Sequence, residues 1–126
     1  MAPFRADFVA KARKLVREMF VSSSDQALVD WVAADMSAAP PEVALGALEH
    51  AITNDLAIVA GLREPSKPVI AINPDYRPTD VEALQRYGVK VLLMSGVGHF
   101  LMLEDPGTFN HLLGEVIEEF CGINGI

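Results

Sequence analysis

The sequence predicts an α/β protein in which a helical segment precedes a β-α-β-α unit. In the first half, apolar residues recur at the spacing of amphipathic helices. The second half contains two short, continuous apolar runs, "VIAIN" at residues 69–73 and "VKVLLM" at residues 89–94. Such runs are typical of parallel strands covered on both faces. We therefore expect a helical segment over residues 1–62 and the β-α-β-α unit over residues 63–126.

Composition and charge limit the classes of partner. Of the 126 residues, 51% are hydrophobic and 21% are charged, as in soluble globular proteins. The formal charge of −7 disfavours binding to phosphate backbones and anionic membranes, so we expect neither nucleic acid nor a membrane as a partner. No apolar run approaches the length of a membrane span and no signal peptide is recognisable, so the expected location is the cytoplasm. The single cysteine, Cys121, has apolar neighbours that predict a buried or half-buried thiol.

The first half of the sequence predicts a series of helices, separated by residues that favour helix ends and helix starts. The apolar spacing over residues 4–20 predicts an amphipathic helix. Ser23 followed by Gln26 has the spacing of a capping box and predicts the start of a second helix. Pro41 suits the first turn of a third helix. The run at residues 53–55, Thr-Asn-Asp, predicts a break followed by a short further helix.

The second half alternates strands and helices. Between the two apolar runs, Thr79 and Glu82 form a second possible capping box, and Gly88 is a suitable stop for the short helix that follows. Asp105 and Pro106 predict the start of a last helix. That helix has a broad apolar stripe, made by Phe109, Leu112, Leu113, Val116, Ile117 and Phe120.

A sheet of two apolar strands is too small to bury itself, and both of its edges expose backbone hydrogen-bonding groups. Another polypeptide segment is therefore expected to complete it. A second copy of this chain could do so by strand addition or strand exchange, giving a homodimer, and so could a complementary chain.

The stretch "GVGHFLMLEDPGTFNHLL" at residues 96–113 resembles the C-terminal part of an α/β-hydrolase. The likeness covers nearly the whole chain: the first helices resemble the end of the family's helical cap, and residues 67–121 resemble its last two strands and final helices. In the family, a glycine turn after the last strand carries the catalytic histidine, so the resemblance implies that role for His99. An imidazole there can accept and return a proton at the carboxyl edge of a parallel sheet.

The resemblance also implies an acid in the loop after the preceding strand, and it implies no cofactor. Asp75 in "INPDYRPTD" is the favoured candidate, and Asp80 is the second, although a place in the first helical turn gives Asp80 an ordinary helix-stabilising role. The loop departs from the family pattern, because alignment of its usual Gly-x-x-Asp form puts Pro74 in the glycine column and Arg77 in the aspartate column.

The serine nucleophile of the family is missing from the sequence. No serine has glycines two positions away on both sides, as a Gly-x-Ser-x-Gly elbow requires. The leading hypothesis is a truncated α/β-hydrolase that acts slowly on activated esters. In it, His99 serves as general base on water or a nearby hydroxyl and Asp75 orients it.

Two other classes of function stay open at this point. One is a metal-assisted hydrolase built at a homodimer interface from His50, His99 and His111, although these lack a His-x-x-x-His spacing. The other is a non-catalytic interaction module or half of a split hydrolase. Its adaptable apolar surface would come from residues that are otherwise interpreted mostly as core, namely Met19, Trp31, Met36, Met94 and Met102.

Overall fold

The structure of the chain is a computed structural model, which describes residues 7–63, 65 and 67–122. Within these residues the protein is mixed α/β, with seven helices and one parallel sheet of two strands. The predicted α/β class is therefore confirmed. The chain divides into two compact units, Met1–Ala60 and Gly61–Ile126.

Four helices occupy the first part of the chain. They are α1 (Phe8–Arg17), α2 (Gln26–Ser37), α3 (Pro41–Thr53) and α4 (Asp55–Arg63). A core cluster forms where Phe8 and Ala12 of α1 pack with Leu45 of α3, since all three side chains are buried. Helix α2 buries Val29, Val32 and Ala33, which lie on one face at helical spacing. The start of the predicted first helix, residues 4–6, lies outside the described residues.

The start of α2 differs from the predicted capping box. Asp25, not Ser23, is the N-cap, and its carboxylate accepts a hydrogen bond from the Leu28 amide at 2.9 Å. The prediction of a Ser23–Gln26 box is wrong because Asp caps as well as Ser and stands directly before the first helical residue. Pro41 does begin α3, as predicted.

The predicted break between the third and fourth helices is confirmed, since Asn54 separates α3 from α4. Among the described residues, no single helix is both long and apolar enough to cross a bilayer. Only one bent pair, Pro41–Thr53 with Ala57–Arg63, reaches that length and composition jointly.

The second unit contains strands β1 (Ile70–Pro74) and β2 (Lys90–Met94), which pair in parallel. The register runs from Ile70 opposite Lys90 to Pro74 opposite Met94, so both strands end at the same edge of the sheet. The predicted cover on both faces is incomplete in this chain. Every residue of β1 is only half-buried, and Leu93 of β2 is 51% exposed.

Helix α5 (Val81–Arg86) links the two strands. Its N-cap is Asp80, whose carboxylate accepts a hydrogen bond from the Ala83 amide at 2.9 Å. The predicted Thr79–Glu82 capping box is therefore wrong, and the Thr79 hydroxyl instead accepts a hydrogen bond from the Asn73 side-chain amide at 3.2 Å. The predicted stop at Gly88 is confirmed, since Gly88 follows the C-cap of α5 with a φ of +73°.

Helices α6 (Leu101–Glu104) and α7 (Pro106–Cys121) complete the unit. Asp105 caps α7 as expected, and its carboxylate accepts hydrogen bonds from the amide and the hydroxyl of Thr108. A second core cluster joins β2 to the helices that follow. It contains Met94, Val97 and Leu101, with Ile72, Phe109 and Leu112 packed against it.

The apolar stripe of α7 is only partly covered. No residue of α7 is fully buried, and Ile117 and Phe120 are 42% and 43% exposed. The prediction that Cys121 is buried or half-buried is wrong, because its thiol lies on the exposed last turn of this helix. The apolar residues near Cys121 are themselves exposed to solvent at the end of the helix, so they do not bury the thiol.

Candidate active site

The candidate site lies at the edge of the sheet where the two parallel strands end. Asp75 directly follows the last residue of β1, and His99 stands on the turn after β2. Parallel strands bring the loops at their carboxyl ends to one edge, which is where α/β folds build ligand sites. The pairing of Pro74 with Met94 fixes this arrangement here.

A cavity of about 420 Å³ opens at this edge, within the range of small-molecule sites. Ile72 and Pro74 of β1 and Leu101 and Met102 of α6 form its apolar wall. Its polar lining is supplied by Asn73, Tyr76, Arg77, Thr79 and His99. The cavity thus brings His99 together with the loop that follows β1.

The turn that carries His99 is held by backbone hydrogen bonds to carboxylates. Gly96 has a φ of +76°, a conformation that favours glycine, and it turns the chain directly after β2. The amide of Gly98 donates to Glu104 Oε2 at 2.8 Å. The imidazole of His99 is exposed to solvent and meets the ring of Phe100 edge to face at 5.2 Å between centroids.

Asp75 forms a hydrogen bond to the same turn. Its Oδ1 accepts a hydrogen bond from the Gly96 amide at 3.3 Å, and its own amide donates to the carbonyl of Met94 at 3.0 Å. Within the described residues, no hydrogen bond or ion pair joins Asp75 to His99. Asp75 therefore ties the loop after β1 to the turn after β2.

The second acid candidate, Asp80, is occupied as a helix cap. Its Oδ1 binds the Ala83 amide, and Asp80 is not among the residues that line the cavity. Among the described residues, neither predicted acid accordingly forms a hydrogen bond or an ion pair with His99. A helix-capping Asp has an ordinary structural explanation, as the sequence had indicated for this position.

Sequence reasoning missed two contributors to the site. Arg77 lines the cavity, with its guanidinium carbon 5.3 Å from the centroid of the Tyr76 ring. Glu104 holds the histidine turn through Gly98. The signal for Arg77 was its place in the loop after a parallel strand, whereas nothing in the sequence indicated that Glu104 would reach back to this turn.

The described residues contain no group of three or more His, Cys, Asp or Glu side chains that could hold a metal ion. His50 is exposed on α3, and His111 is exposed on α7, where its Nε2 lies 3.5 Å from Glu115 Oε1. His50 and His111 therefore lie on two different helices, and His99 lies on a turn outside both of them. The described part of one chain therefore offers no support for a metal centre.

The five residues that could form an apolar surface were expected to lie mostly in the core, but most of them are exposed. Met94 alone among the five is buried, and Met19 is half-buried. Trp31, Met36 and Met102 are exposed, so the core interpretation is wrong for them. Met19 and Met36 line a separate apolar cavity of about 160 Å³ in the first unit.

No protein-family model, curated protein or solved structure matches this chain. A relationship to α/β-hydrolases therefore stays a prediction from the sequence, based above all on the glycine turn with His99 and the "EDP" at the start of the last helix. Those residues, and the chemistry of the cavity beside them, are the basis of the proposal that follows.

Proposed function

We propose that this protein is an α/β-hydrolase-like hydrolase of small, activated esters in which His99 acts as the general base. One observation carries the proposal: His99 lines a cavity at the carboxyl edge of a parallel strand pair, on a turn that follows the second strand. This is the edge at which α/β enzymes gather their reacting groups. The cavity is large enough for a small ester, and the imidazole is open to solvent water.

The proposed reaction uses a water molecule as the nucleophile. His99 accepts a proton as the water oxygen forms a bond to the ester carbonyl carbon. The tetrahedral intermediate then expels the alcohol or phenol oxygen, and the imidazolium returns the proton to that leaving group. The products are the carboxylic acid and the alcohol, and the imidazole is restored.

Asp75 acts in this proposal as a positioning residue. Its carboxylate holds the Gly96 amide, three residues before the histidine, rather than the imidazole itself. It therefore sets where the turn stands relative to the loop after β1. An Asn at this position retains an oxygen that accepts the same hydrogen bond, which gives the role a conservative test.

Turnover is expected to be slow. Oxyanion stabilisation by backbone amides accounts for a large part of the catalysis in ester hydrolases. In the turn, the amides of Gly96 and Gly98 already donate to Asp75 and Glu104. These two amides are consequently not free to stabilise the developing negative charge on a substrate oxygen.

We also propose that a second copy of the chain completes the sheet. The support is the exposure of apolar surface in the second unit, where Leu93 is 51% and Phe120 is 43% exposed. The described sheet has only two strands, so each strand has one edge without a strand partner there. Light scattering after size exclusion tests this: a dimer that dissociates on dilution is expected, whereas a monomer at all concentrations contradicts it. A complementary chain, making a split hydrolase, is the competing outcome.

A pair of histidine variants tests the catalytic proposal. His99→Gln removes the base, and His111→Gln removes a solvent-exposed histidine on α7 as a matched control. With p-nitrophenyl acetate as substrate, His99→Gln is expected to lower kcat/KM by about a hundredfold, the lower end of the usual contribution of a general base. His111→Gln is expected to leave it unchanged. Equal activity in both variants would remove His99 from the mechanism.

A further inference from the structure

The cavity beside His99 differs in charge from the chain as a whole. The protein has 17 acidic and 10 basic residues, and its formal charge is −7. Among the described residues, the lining of the cavity nevertheless contains no Asp or Glu, and its charged group is the guanidinium of Arg77. A cavity with this lining favours a negatively charged ligand group in an otherwise acidic protein.

Arg77 has hydrogen-bond donors available for such a group. Its described interaction is the contact with the face of Tyr76, at 5.3 Å from the ring centroid, and its guanidinium makes no ion pair or hydrogen bond within the described residues. A guanidinium presents five N–H donors in a planar fork that matches a carboxylate. A cation–π contact with the Tyr76 ring uses none of the N–H groups as a hydrogen-bond donor to an oxygen, so these donors remain available.

The two acids nearest to Arg77 in sequence are bound elsewhere. Asp75 accepts from the Gly96 amide at 3.3 Å, and Asp80 accepts from the Ala83 amide at 2.9 Å. Neither carboxylate lines the cavity. Among the described residues, neither carboxylate forms an ion pair with Arg77.

We infer that Arg77 is the anion-binding group of this cavity and that the substrate is a small ester with a carboxylate group. Arg77 binds the carboxylate, while the apolar wall formed by Ile72, Leu101 and Met102 covers the body of the ester. Asn73 and Thr79, which share a hydrogen bond, add polar groups to the same lining. The ester carbonyl is then presented to His99. As a statement about substrates, this inference rests on the proposed function, whereas the anion site can be tested without catalysis.

Binding of benzoate tests the site alone. The measurement is an NMR titration of the full-length His99→Gln variant with benzoate and with benzamide, its neutral counterpart. Benzoate is expected to shift the amide signals of the loop after β1, and benzamide is not. Adding Arg77→Gln is expected to weaken benzoate binding about tenfold or more, as loss of a charge-assisted hydrogen bond would. Benzoate binding that is absent, or that Arg77→Gln leaves unchanged, overturns the inference.

Kinetics test the preference for a charged substrate. The substrates are p-acetoxybenzoate, which carries a carboxylate remote from the ester, and its neutral methyl ester, with each rate divided by its uncatalysed rate. Arg77→Gln is expected to lower kcat/KM about tenfold to a hundredfold for the anion and less than about twofold for the neutral ester. The matched control is Arg86→Gln, which removes the same charge from an exposed arginine on α5 that does not line the cavity. It is expected to change neither rate.

The two proposals fail in different ways. If His99→Gln hydrolyses both esters as well as the native protein does, the proposed base is wrong, but benzoate binding through Arg77 still upholds the anion site. The other outcome is that hydrolysis depends on His99 while Arg77→Gln lowers kcat/KM equally for both esters, or for neither. In that case the preference for an anionic ester is wrong and the hydrolase proposal stands.

Discussion

The Asp75 carboxylate accepts a hydrogen bond from the Gly96 amide at 3.3 Å, which joins the loop after β1 to the turn after β2. The backbone contributes a second link between the same regions, because the Asp75 amide donates to the carbonyl of Met94. The backbone bond extends the pairing of the parallel strands by one residue, and the side-chain bond reaches the turn two residues after β2. His99 lies three residues further along the turn, so its position depends on this connection.

The role of Asp75 as a link predicts different effects for two substitutions. Asp75→Ala removes the acceptor and is expected to lower the free energy of unfolding by about 0.5 to 1 kcal/mol, a modest amount because the bond is exposed to solvent. Asp75→Asn keeps an acceptor oxygen and is expected to retain most of the stability and the esterase activity. Urea unfolding and kcat/KM of the two variants are the measurements. A loss of activity in Asp75→Asn as large as in His99→Gln would show instead that the charge of Asp75 acts on the imidazole.

The end of α5 predicts a destabilising effect for a substitution at Gly88. Gly88 has a φ of +73°, and the amides of Gly88 and Val89 donate to the carbonyls of Gln85 and Leu84, which is the Schellman pattern. Gly88→Ala is expected to lower the free energy of unfolding by about 1 kcal/mol, because an L side chain is strained at positive φ.

Gly46, within α3, serves as the matched control for this strain. Apart from the adjacent backbone, a Cβ added at Gly46 or at Gly88 meets no atom of the described residues within 4 Å, so the two sites differ in backbone conformation rather than in available space. Gly46→Ala is expected to raise stability by about 0.5 to 1 kcal/mol, since Ala favours helix. Thermal unfolding of the full chain measures the change in stability for both variants. A stabilising Gly88→Ala would contradict the described turn.

Several elements were predictable because their signals are local. The two strands, the helix start at Pro41 and the stop at Gly88 each follow from a few neighbouring residues with restricted backbone geometry. The predictions of capping boxes at Ser23 and Thr79 were wrong for the same reason. In both places an Asp closer to the helix takes the capping role, and sequence spacing does not distinguish between two competent cap residues.

The site was only partly predictable for a different reason. The positions of Asp75 and His99 follow from parallel strand pairing, so the sequence placed both at the same edge. Which groups then face the cavity depends on side-chain direction and on tertiary hydrogen bonds. The Gly96 amide donates a hydrogen bond to the Asp75 carboxylate, and Arg77 lines the cavity. The exposure of Cys121 was missed similarly, because it depends on what covers the end of α7.

The cap of α7 predicts a dependence of stability on acid pH. Hydrogen bonds from the Thr108 side chain, and then from its backbone amide, lower the pKa of Asp105 from its ordinary value of 3.8. Because the pKa is lowered in the folded state, the carboxylate stabilises the fold above about pH 4, and this contribution is lost as the pH falls through the lowered pKa. Thr108→Val removes the hydroxyl donor and keeps the amide. NMR titration of the Asp105 carboxyl is expected to show a pKa that moves back part of the way toward 3.8; an unchanged pKa would contradict the described cap.

The most direct test of general-base catalysis at the strand ends is the pH–rate profile of ester hydrolysis by the native protein and by His99→Gln. For the native protein, kcat/KM for p-nitrophenyl acetate, corrected for the buffer reaction, is expected to rise with pH and then to level off, as in a reaction that needs an unprotonated base. In His99→Gln the rising limb is expected to disappear along with most of the activity, while His111→Gln keeps the native profile. A rising limb that survives unchanged in His99→Gln would show that another group is the base and that the cavity beside His99 is not the catalytic site.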